Sequence, residues 1–388
     1  MTNTPRSERL HIGIFGRRNA GKSSLLNAIA GQNVAIVSPT KGTTTDPVYK
    51  TMELLPLGPV VLVDTAGLDD DGELGPQRIK KTRNILRKTD LAILVVGVDA
   101  ALSQEDNMLI DLFEATGVKH MVVYNNSTAP TENTRKTWVN ACTSENILAL
   151  KEKIAQACQA DKPPQKLVSD LLSPGDMVVL VVHVDESAPK NRLILPQQQT
   201  IRDILDAQAV PVITQATGLA DTLGKLSQPP KLVITDSQIF AAVAQKTPQS
   251  VGLTSFSILM ARYKGLLAGA VEGAAILDTI QDSDHILIAE GCTHHRQCDD
   301  IGTVKIPRWI EAHTGAKPVY TFTAGEDFPE SLEKFKLIIH CGGCMQNVRE
   351  MQHRQNAAQK HNVPMTNYGI AISHMQGILQ RCIKPFET

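Results

Sequence analysis

Eight residues near the amino terminus have the types and spacing of a phosphate cradle. Gly16-Arg17-Arg18-Asn19-Ala20-Gly21-Lys22-Ser23 fits G-x-x-x-x-G-K-[ST]. A strand-like run, Ile12-Gly13-Ile14-Phe15, precedes it and a helical stretch follows. A chance match in a glycine-rich turn would not bring that context. Gly16 and Gly21 let backbone N–H groups turn inward, and the helix N-terminus adds positive potential. Lys22 would neutralise the β- and γ-phosphates, and Ser23 can hold Mg²⁺. Ser24, next along the helix, is counted with the nucleotide contacts.

Asp64-Thr65-Ala66-Gly67 closes the apolar run 60–63. Asp64 would stand beside Mg²⁺ and Gly67 near the γ-phosphate. Thr43, Thr44 and Thr45 lie between the two motifs, where a loop offering a hydroxyl to Mg²⁺ is expected. Any of the three can do it; Thr44 is taken as the representative. The candidate catalytic residues are therefore Lys22, Thr44, Asp64 and Gly67, with Ser23, Thr44 and Asp64 on Mg²⁺.

A second constellation is Cys292-Thr293-His294-His295 with His340-Cys341-Gly342-Gly343-Cys344. Each half follows a strand-like run, 285–289 and 337–340, and ligands gather at the carboxyl ends of parallel strands. Gly342-Gly343 lets the chain wrap closely, and a helix starting near Gln346 points its N-terminus at the loop, which favours thiolates. Three readings stay open on spacing. Zinc would take four ligands, such as Cys292, His294 or His340, Cys341 and Cys344. An iron–sulfur cluster would take three thiolates and leave one iron open. The third is a reduced thiol group with no metal. Cys298 is a further thiol nearby, read as a free cysteine.

The elements that must position these groups alternate along the chain. Runs 12–15, 60–63, 91–96 and 121–123 read as buried strands separated by helices, so a mostly parallel sheet is expected. A polar break at 161–165 is a linker candidate. Runs 177–184, 210–214 and 231–235 give three more strands. That sheet would be covered on one side only and would need a partner. A second linker candidate is 246–250. A long helix at about 255–280 opens the last unit, with strands 285–289, 319–322 and 337–340. No internal repeat with a fixed period is visible.

Composition bounds the rest. The chain has 388 residues, 42% hydrophobic and 20% charged, with a net charge of -1. That length suggests two or three domains. The neutral balance gives no general attraction to nucleic acid or acidic membrane. No apolar run approaches about 18 residues, and Met1 to Arg9 is polar, so a cytoplasmic protein is expected. Of seven cysteines, four lie between 292 and 344, which argues for metal or redox chemistry over a disulfide framework.

The order of phosphate loop, threonine loop and Asp-Thr-Ala-Gly resembles the translation-factor class of GTPases, nearest the Era/TrmE-like group. In TrmE-like relatives an asparagine at the place of Asn19 helps bind K⁺. Leu68 stands where Ras-like GTPases carry the glutamine that orients water. The resemblance thus implies GTP/GDP binding and cation-assisted hydrolysis, with Asp69, Asp70, Asp71 and Glu73 as acidic candidates in the same loop. Where the guanine-reading Asn-Lys-x-Asp is expected, this chain has Asn125-Asn126-Ser127-Thr128. Asn125 can serve, but Thr128 lacks the carboxylate that takes two guanine N–H groups, a loss on the order of 1.5–3 kcal/mol. Ala141-Cys142-Thr143 falls at the next base-contacting loop, with Cys142 read as a small packing residue.

The carboxy-terminal part resembles HydF, the GTPase maturation family of [FeFe]-hydrogenase. That family carries Cys-x-His, a long gap and His-Cys-x-x-Cys, matched by Cys292-Thr293-His294 and His340-Cys341-Gly342-Gly343-Cys344. Residues 300–309, Asn367-Tyr368-Gly369 and 188–197 are similar to the family's framing. The resemblance implies an α/β chain of three domains: a P-loop GTPase domain (1–165), a small α/β dimerisation domain (170–250) and an α/β iron–sulfur cluster-binding domain (255–388). It implies a [4Fe–4S] cluster on Cys292, Cys341 and Cys344, with His294 and His340 as possible further ligands. It also implies a homodimeric scaffold that carries a di-iron precursor to apo-[FeFe]-hydrogenase and works with two radical-SAM maturases. No membrane or nucleic-acid partner is expected. The alternatives are a tRNA-modifying GTPase and a zinc-stabilised GTPase. A radical enzyme would show Cys-x-x-x-Cys-x-x-Cys, which does not occur in this chain.

Overall fold

The computed structural model describes residues 4–31, 47–65, 76–97, 101–125, 137–159, 166–184, 193–292, 300–325 and 327–387. The chain forms two compact units, Met1–Pro163 and Pro164–Thr388.

The first unit is a six-stranded sheet. Its strands are β1 (Leu10–Phe15), β2 (Val48–Leu54), β3 (Gly58–Asp64), β4 (Leu91–Val96), β5 (Lys119–Asn125) and β6 (Thr137–Val139). Their order is β2-β3-β1-β4-β5-β6, and only β2 runs antiparallel. The continuous apolar runs of β1, β3 and β4 become central strands because both faces are covered. Ile12, Ile14, Leu62 and Ile93 pack with Leu25 and Ile29 of one helix and Leu150 and Ile154 of another. Phe15, Val63 and Leu94 pack on the other face with Leu86 and Phe113. Strand β2 carries no apolar run. It is an exposed edge held by its ladder to β3.

The second unit holds two four-stranded parallel sheets. The first comprises β7 (Met177–Val181), β8 (Val210–Thr214), β9 (Leu232–Thr235) and β10 (Gly252–Ser255), in the order β10-β9-β7-β8. The second comprises β11 (His285–Glu290), β12 (Val319–Ala324), β13 (Leu337–His340) and β14 (Met365–Asn367), in the order β12-β11-β13-β14. Read from opposite edges, the two orders are the same. The likeness extends to side chains. Each fourth strand runs straight into a helix capped by its own last residue: Ser255 accepts from Ile258 N at 3.3 Å, and Asn367 from Ile370 N at 2.8 Å. The second unit is thus a repeated architecture, hidden from a search for a fixed period because the offset between equivalent strands drifts.

Three expectations change. Each sheet has a fourth strand, too short at four and three residues to stand out as an apolar run. The stretch 246–250 leads into β10, which pairs with β9 in the same sheet. The single helix expected over 255–280 is instead two helices, Phe256–Tyr263 and Leu267–Ala274, and a 3-10 turn, Ala275–Thr279. Gly265, at φ +73°, breaks the run between the two helices.

The one-sided cover expected for the first of these sheets is not found. Val179, Val181 and Val233 pack against Phe240 and Val243, while Val178, Leu180 and Ile234 pack against Ile204, Phe256 and Leu259. Exposed apolar surface lies instead on the edge strand β8, at Val210 and Ile213.

Candidate functional site

In the first unit, register places the chemistry. Ile14 pairs with Asp64, so the loop leaving β1 and the carboxylate ending β3 are neighbours. Ser23 Oγ donates to Asp64 Oδ2 at 3.2 Å, which brings together the two groups expected on Mg²⁺. Lys22 is buried, and its ammonium donates to the carbonyls of Gly16 at 2.7 Å and Arg17 at 2.9 Å, across the mouth of the loop. Asn19 has a positive φ of 62°, and Gly16 and Gly21 have φ of 139° and 89°. A Cβ on Gly16 would meet the Val95 carbonyl oxygen at 2.3 Å. Ser24 lies in the first turn of the helix Lys22–Ala30.

Asn125, at the end of β5, is fully buried. Its Nδ2 donates to the carbonyls of Ala20 at 3.3 Å and Gly21 at 3.4 Å, and its Oδ1 accepts from Ala141 N at 3.1 Å. It ties the phosphate loop to the expected base loop. Cys142 in that loop is exposed, so it is not the packing residue expected. The sequence reading missed Asp106, a buried carboxylate that caps the helix Gln104–Ala115 and pairs with Arg17 of the phosphate loop at 3.3 Å. The signal was there: Ser103 with Asp106 three residues on is a capping box. Thr43, Thr44, Thr45, Gly67, Leu68, Asp69, Asp70, Asp71, Glu73 and Asn126 to Thr128 lie outside the described residues.

In the second unit, β11 and β13 are adjacent parallel strands with Ala289 opposite His340. Their carboxyl ends therefore emerge side by side. Cys292 leaves β11 two residues past its end, and Cys341 and Cys344 follow β13. All three are half-buried. Cys341 Sγ accepts N–H groups from Gly291 at 3.0 Å and Gly343 at 3.3 Å. Burial still pushes its thiol up to about 12; those two donors act the other way, and the neighbouring Cys344 and Cys292 add to the rise. Burial also raises the Cys344 thiol, opposed by the Lys264 ammonium. Gly291, Gly342 and Gly343 surround the mouth, and a Cβ on Gly291 would press on Gln346 at 3.1 Å and Gly343 at 3.3 Å.

His340 is fully buried. Its Nδ1 donates to the Cys341 carbonyl at 2.8 Å, and its Nε2 accepts from Arg354 at 2.9 Å. Both ring nitrogens are therefore engaged. Burial, with the Arg354 charge, lowers its pKa to about 3, so it is neutral. Four residues below the mouth escaped the sequence reading. Lys264, 2% exposed, donates to the carbonyls of Gly343 at 2.6 Å and of Gln346. Gln346 donates back to the Gly291 carbonyl at 2.6 Å, joining the two loops. Arg354 donates to Glu350 at 2.9 Å and to the Gly325 carbonyl at 2.7 Å. Charged residues on helices and at their ends read from sequence as solvated, so no signal pointed to Lys264, Glu350 or Arg354. His294, His295 and Cys298 lie outside the described residues.

Among the described residues, one trio of His, Cys, Asp or Glu ligand atoms lies within 4.8 Å of one another, and it is not the cysteines. Two thiolates on one zinc ion stand about 3.8 Å apart, given Zn–S of about 2.3 Å. The three thiols do not all lie within 4.8 Å of one another, so in this arrangement they are not gathered on a single ion. No helix among those residues is long and apolar enough to cross a membrane.

Three family models match. Residues 11–126 match the 50S ribosome-binding GTPase model, 167–265 the hydrogen maturase F dimerization domain and 268–385 the hydrogen maturase F tetramerization domain. GTPase Der of Kosmotoga olearia is 32% identical over 125 residues, 31% of this chain and 28% of that relative. The tRNA modification GTPase MnmE of Geobacillus thermodenitrificans is 36% identical over 124 residues, 32% of this chain and 26% of that relative. The chain thus spans little more than a quarter of these curated relatives. A solved structure of Aquifex aeolicus Era is 18% identical, covers 53% of this chain and 93% of its own, and superposes with a TM-score of 0.33.

Proposed function

The chain belongs to the hydrogen maturase F family, and from that premise we propose that it is a GTP-hydrolysing scaffold that holds a [4Fe–4S] cluster and delivers a di-iron precursor to apo-[FeFe]-hydrogenase. The observation that supports the cluster reading is the cysteine mouth. Three thiols follow two adjacent strand ends, with Gly291, Gly342 and Gly343 between them, and the buried Lys264 ammonium is close enough to act on Cys344. Two backbone N–H donors at Cys341 and the Lys264 charge suit sulfur that carries negative charge. Cys292, Cys341 and Cys344 would hold the cluster. When bound, the cluster supplies an iron with a free coordination position for the cargo. His340, with both nitrogens engaged, sets the loop through Arg354, while His294 remains the candidate for the open position.

In the nucleotide domain, Lys22 neutralises phosphate charge, and Ser23 and Asp64 place Mg²⁺. Thr43, Thr44, Thr45 and Gly67 complete the γ-phosphate shell in this reading, and Asn19 holds K⁺. GTP stays preferred over ATP through Asn125, by a narrower margin because Thr128 replaces the carboxylate. The partners in this proposal are a second copy of the chain, apo-[FeFe]-hydrogenase and two radical-SAM maturases, in the cytoplasm, with no membrane or nucleic acid.

Anaerobic reconstitution with iron and sulfide, followed by Mössbauer and EPR spectroscopy, tests the cluster. Serine at Cys292, Cys341 or Cys344 is expected to abolish it, and Cys298→Ser to retain it. Stoichiometric zinc with no iron uptake would end the proposal and favour a zinc-stabilised GTPase.

A further inference from the structure

Asp278, His313 and His374 come from three segments remote from the cysteine mouth. Asp278 sits in the 3-10 turn Ala275–Thr279, His313 in the last turn of the helix Ile306–Thr314, and His374 in the last turn of the helix Tyr368–Met375. His313 Nε2 lies 2.8 Å from Asp278 Oδ1, and His374 Nε2 lies 3.0 Å from both carboxylate oxygens. The two rings meet edge to face with centroids 6.0 Å apart. This is the trio whose ligand atoms fall within 4.8 Å of one another.

We propose that Asp278, His313 and His374 form a second metal site, taking one divalent transition-metal ion of the zinc or cobalt class through two imidazole nitrogens and one carboxylate oxygen. Two ligands at about 2.1 Å from one ion stand about 3.0–3.4 Å apart, depending on coordination number. Both nitrogen–oxygen separations are already near that value, so an ion can replace the shared protons with little movement. Two imidazoles and a carboxylate suit zinc, cobalt or nickel better than the hard cations, which prefer oxygen alone. Three protein ligands leave at least one position open. A cavity of about 390 Å³ adjoins it, lined by Trp309, Ile372, Met375 and His313 itself. A small ligand on the open position would have an apolar wall to lie against.

The repeated architecture argues against a merely structural tie. In the first repeat, the turn before β7 carries Asp170, held by Arg262 of the helix after β10, with Nη1 to Oδ1 at 3.0 Å. A guanidinium stays protonated and cannot ligate a metal. In the second repeat the equivalent helix carries His374, and His313 adds another imidazole to the same carboxylate. One cation suffices to hold the turn; the second imidazole on the same carboxylate supplies the further nitrogen that a metal needs, each Nε2 becoming a ligand once the ion displaces its proton.

The test uses the full chain with serine at Cys292, Cys341 and Cys344, so that no thiolate in the mouth competes, titrated with Co²⁺ alone. One tightly bound Co²⁺ per chain is expected, with weak visible bands and no sulfur-to-cobalt charge transfer. His313→Ala and Asp278→Asn should each weaken Co²⁺ binding at least about tenfold, since each removes a ligand. His374→Arg, which rebuilds the ion pair of the first repeat, should keep the unfolding midpoint and lose the ion. Equal Co²⁺ affinity in His313→Ala and its parent, or no stoichiometric Co²⁺ in the parent, overturns the proposal.

Discussion

Arg354 donates to Nε2 of His340 at 2.9 Å, and both side chains are buried beneath the cysteine mouth. The same guanidinium neutralises Glu350, itself 4% exposed. Arg354→Met should therefore destabilise the second unit by about 3–5 kcal/mol, because it strands a buried carboxylate. The double variant Arg354→Met with Glu350→Met should recover a large part of that loss. Urea unfolding followed by circular dichroism reads both. A single variant within about 1 kcal/mol of the parent would mean that the network carries little.

Nucleotide turnover should collapse in Lys22→Ala, by at least about 100-fold, because the charge that faces the phosphates is lost. The parent should turn over faster in K⁺ than in Na⁺ at equal ionic strength. Equal rates in the two salts would remove Asn19 from the cation site. Competition among GTP, ATP and ITP should show a preference for GTP smaller than that of a GTPase with an intact Asn-Lys-x-Asp motif.

His11 on β1 is buried, with Nδ1 donating to the Arg9 carbonyl at 2.9 Å, and burial lowers its pKa to about 4. The folded value lies below that of the unfolded chain. Its contribution to stability is therefore complete above about pH 6.5 and is lost as pH falls toward 4. The slope approaches about 1.4 kcal/mol per pH unit. Between pH 7 and pH 5 the parent should lose about 2 kcal/mol more than His11→Gln. Parallel pH profiles for the two proteins would contradict this.

Val210 and Ile213 project from β8, the open edge of the first sheet of the second unit, and are 47% and 49% exposed. An apolar edge strand is a pairing surface. If the proposed homodimer forms through this edge, lysine at both positions should convert it to monomer in light scattering without changing the helical signal. An unchanged dimer mass would move the interface elsewhere.

Much of the nucleotide site was legible because it is local. The glycines, Lys22 and Ser23 sit within eight residues, and the helix that follows is bound to present its N-terminus to the loop. Asp64 was legible for a related reason: an apolar run ending in a carboxylate must place it at a sheet end. The cysteines were readable as a set, since each follows a buried strand, although their pairing across β11 and β13 needed the strand order.

The residues themselves thus marked where the proposed chemistry would lie: phosphate at Lys22, and the thiols Cys292, Cys341 and Cys344 for the proposed cluster. Only the tertiary structure decided what surrounds that chemistry. Lys264 just past the end of one helix and Arg354 within another look solvated until the fold buries them near the cysteines. His340 looked like a ligand until Arg354 and its own neighbour's carbonyl took both nitrogens. The pairing of Asp278 with His313 and His374 spans three segments, and no spacing along the chain encodes it. Burial and long-range convergence are properties of the packed sheet and its helices, so a one-dimensional pattern carries them only where the contact is also close in sequence.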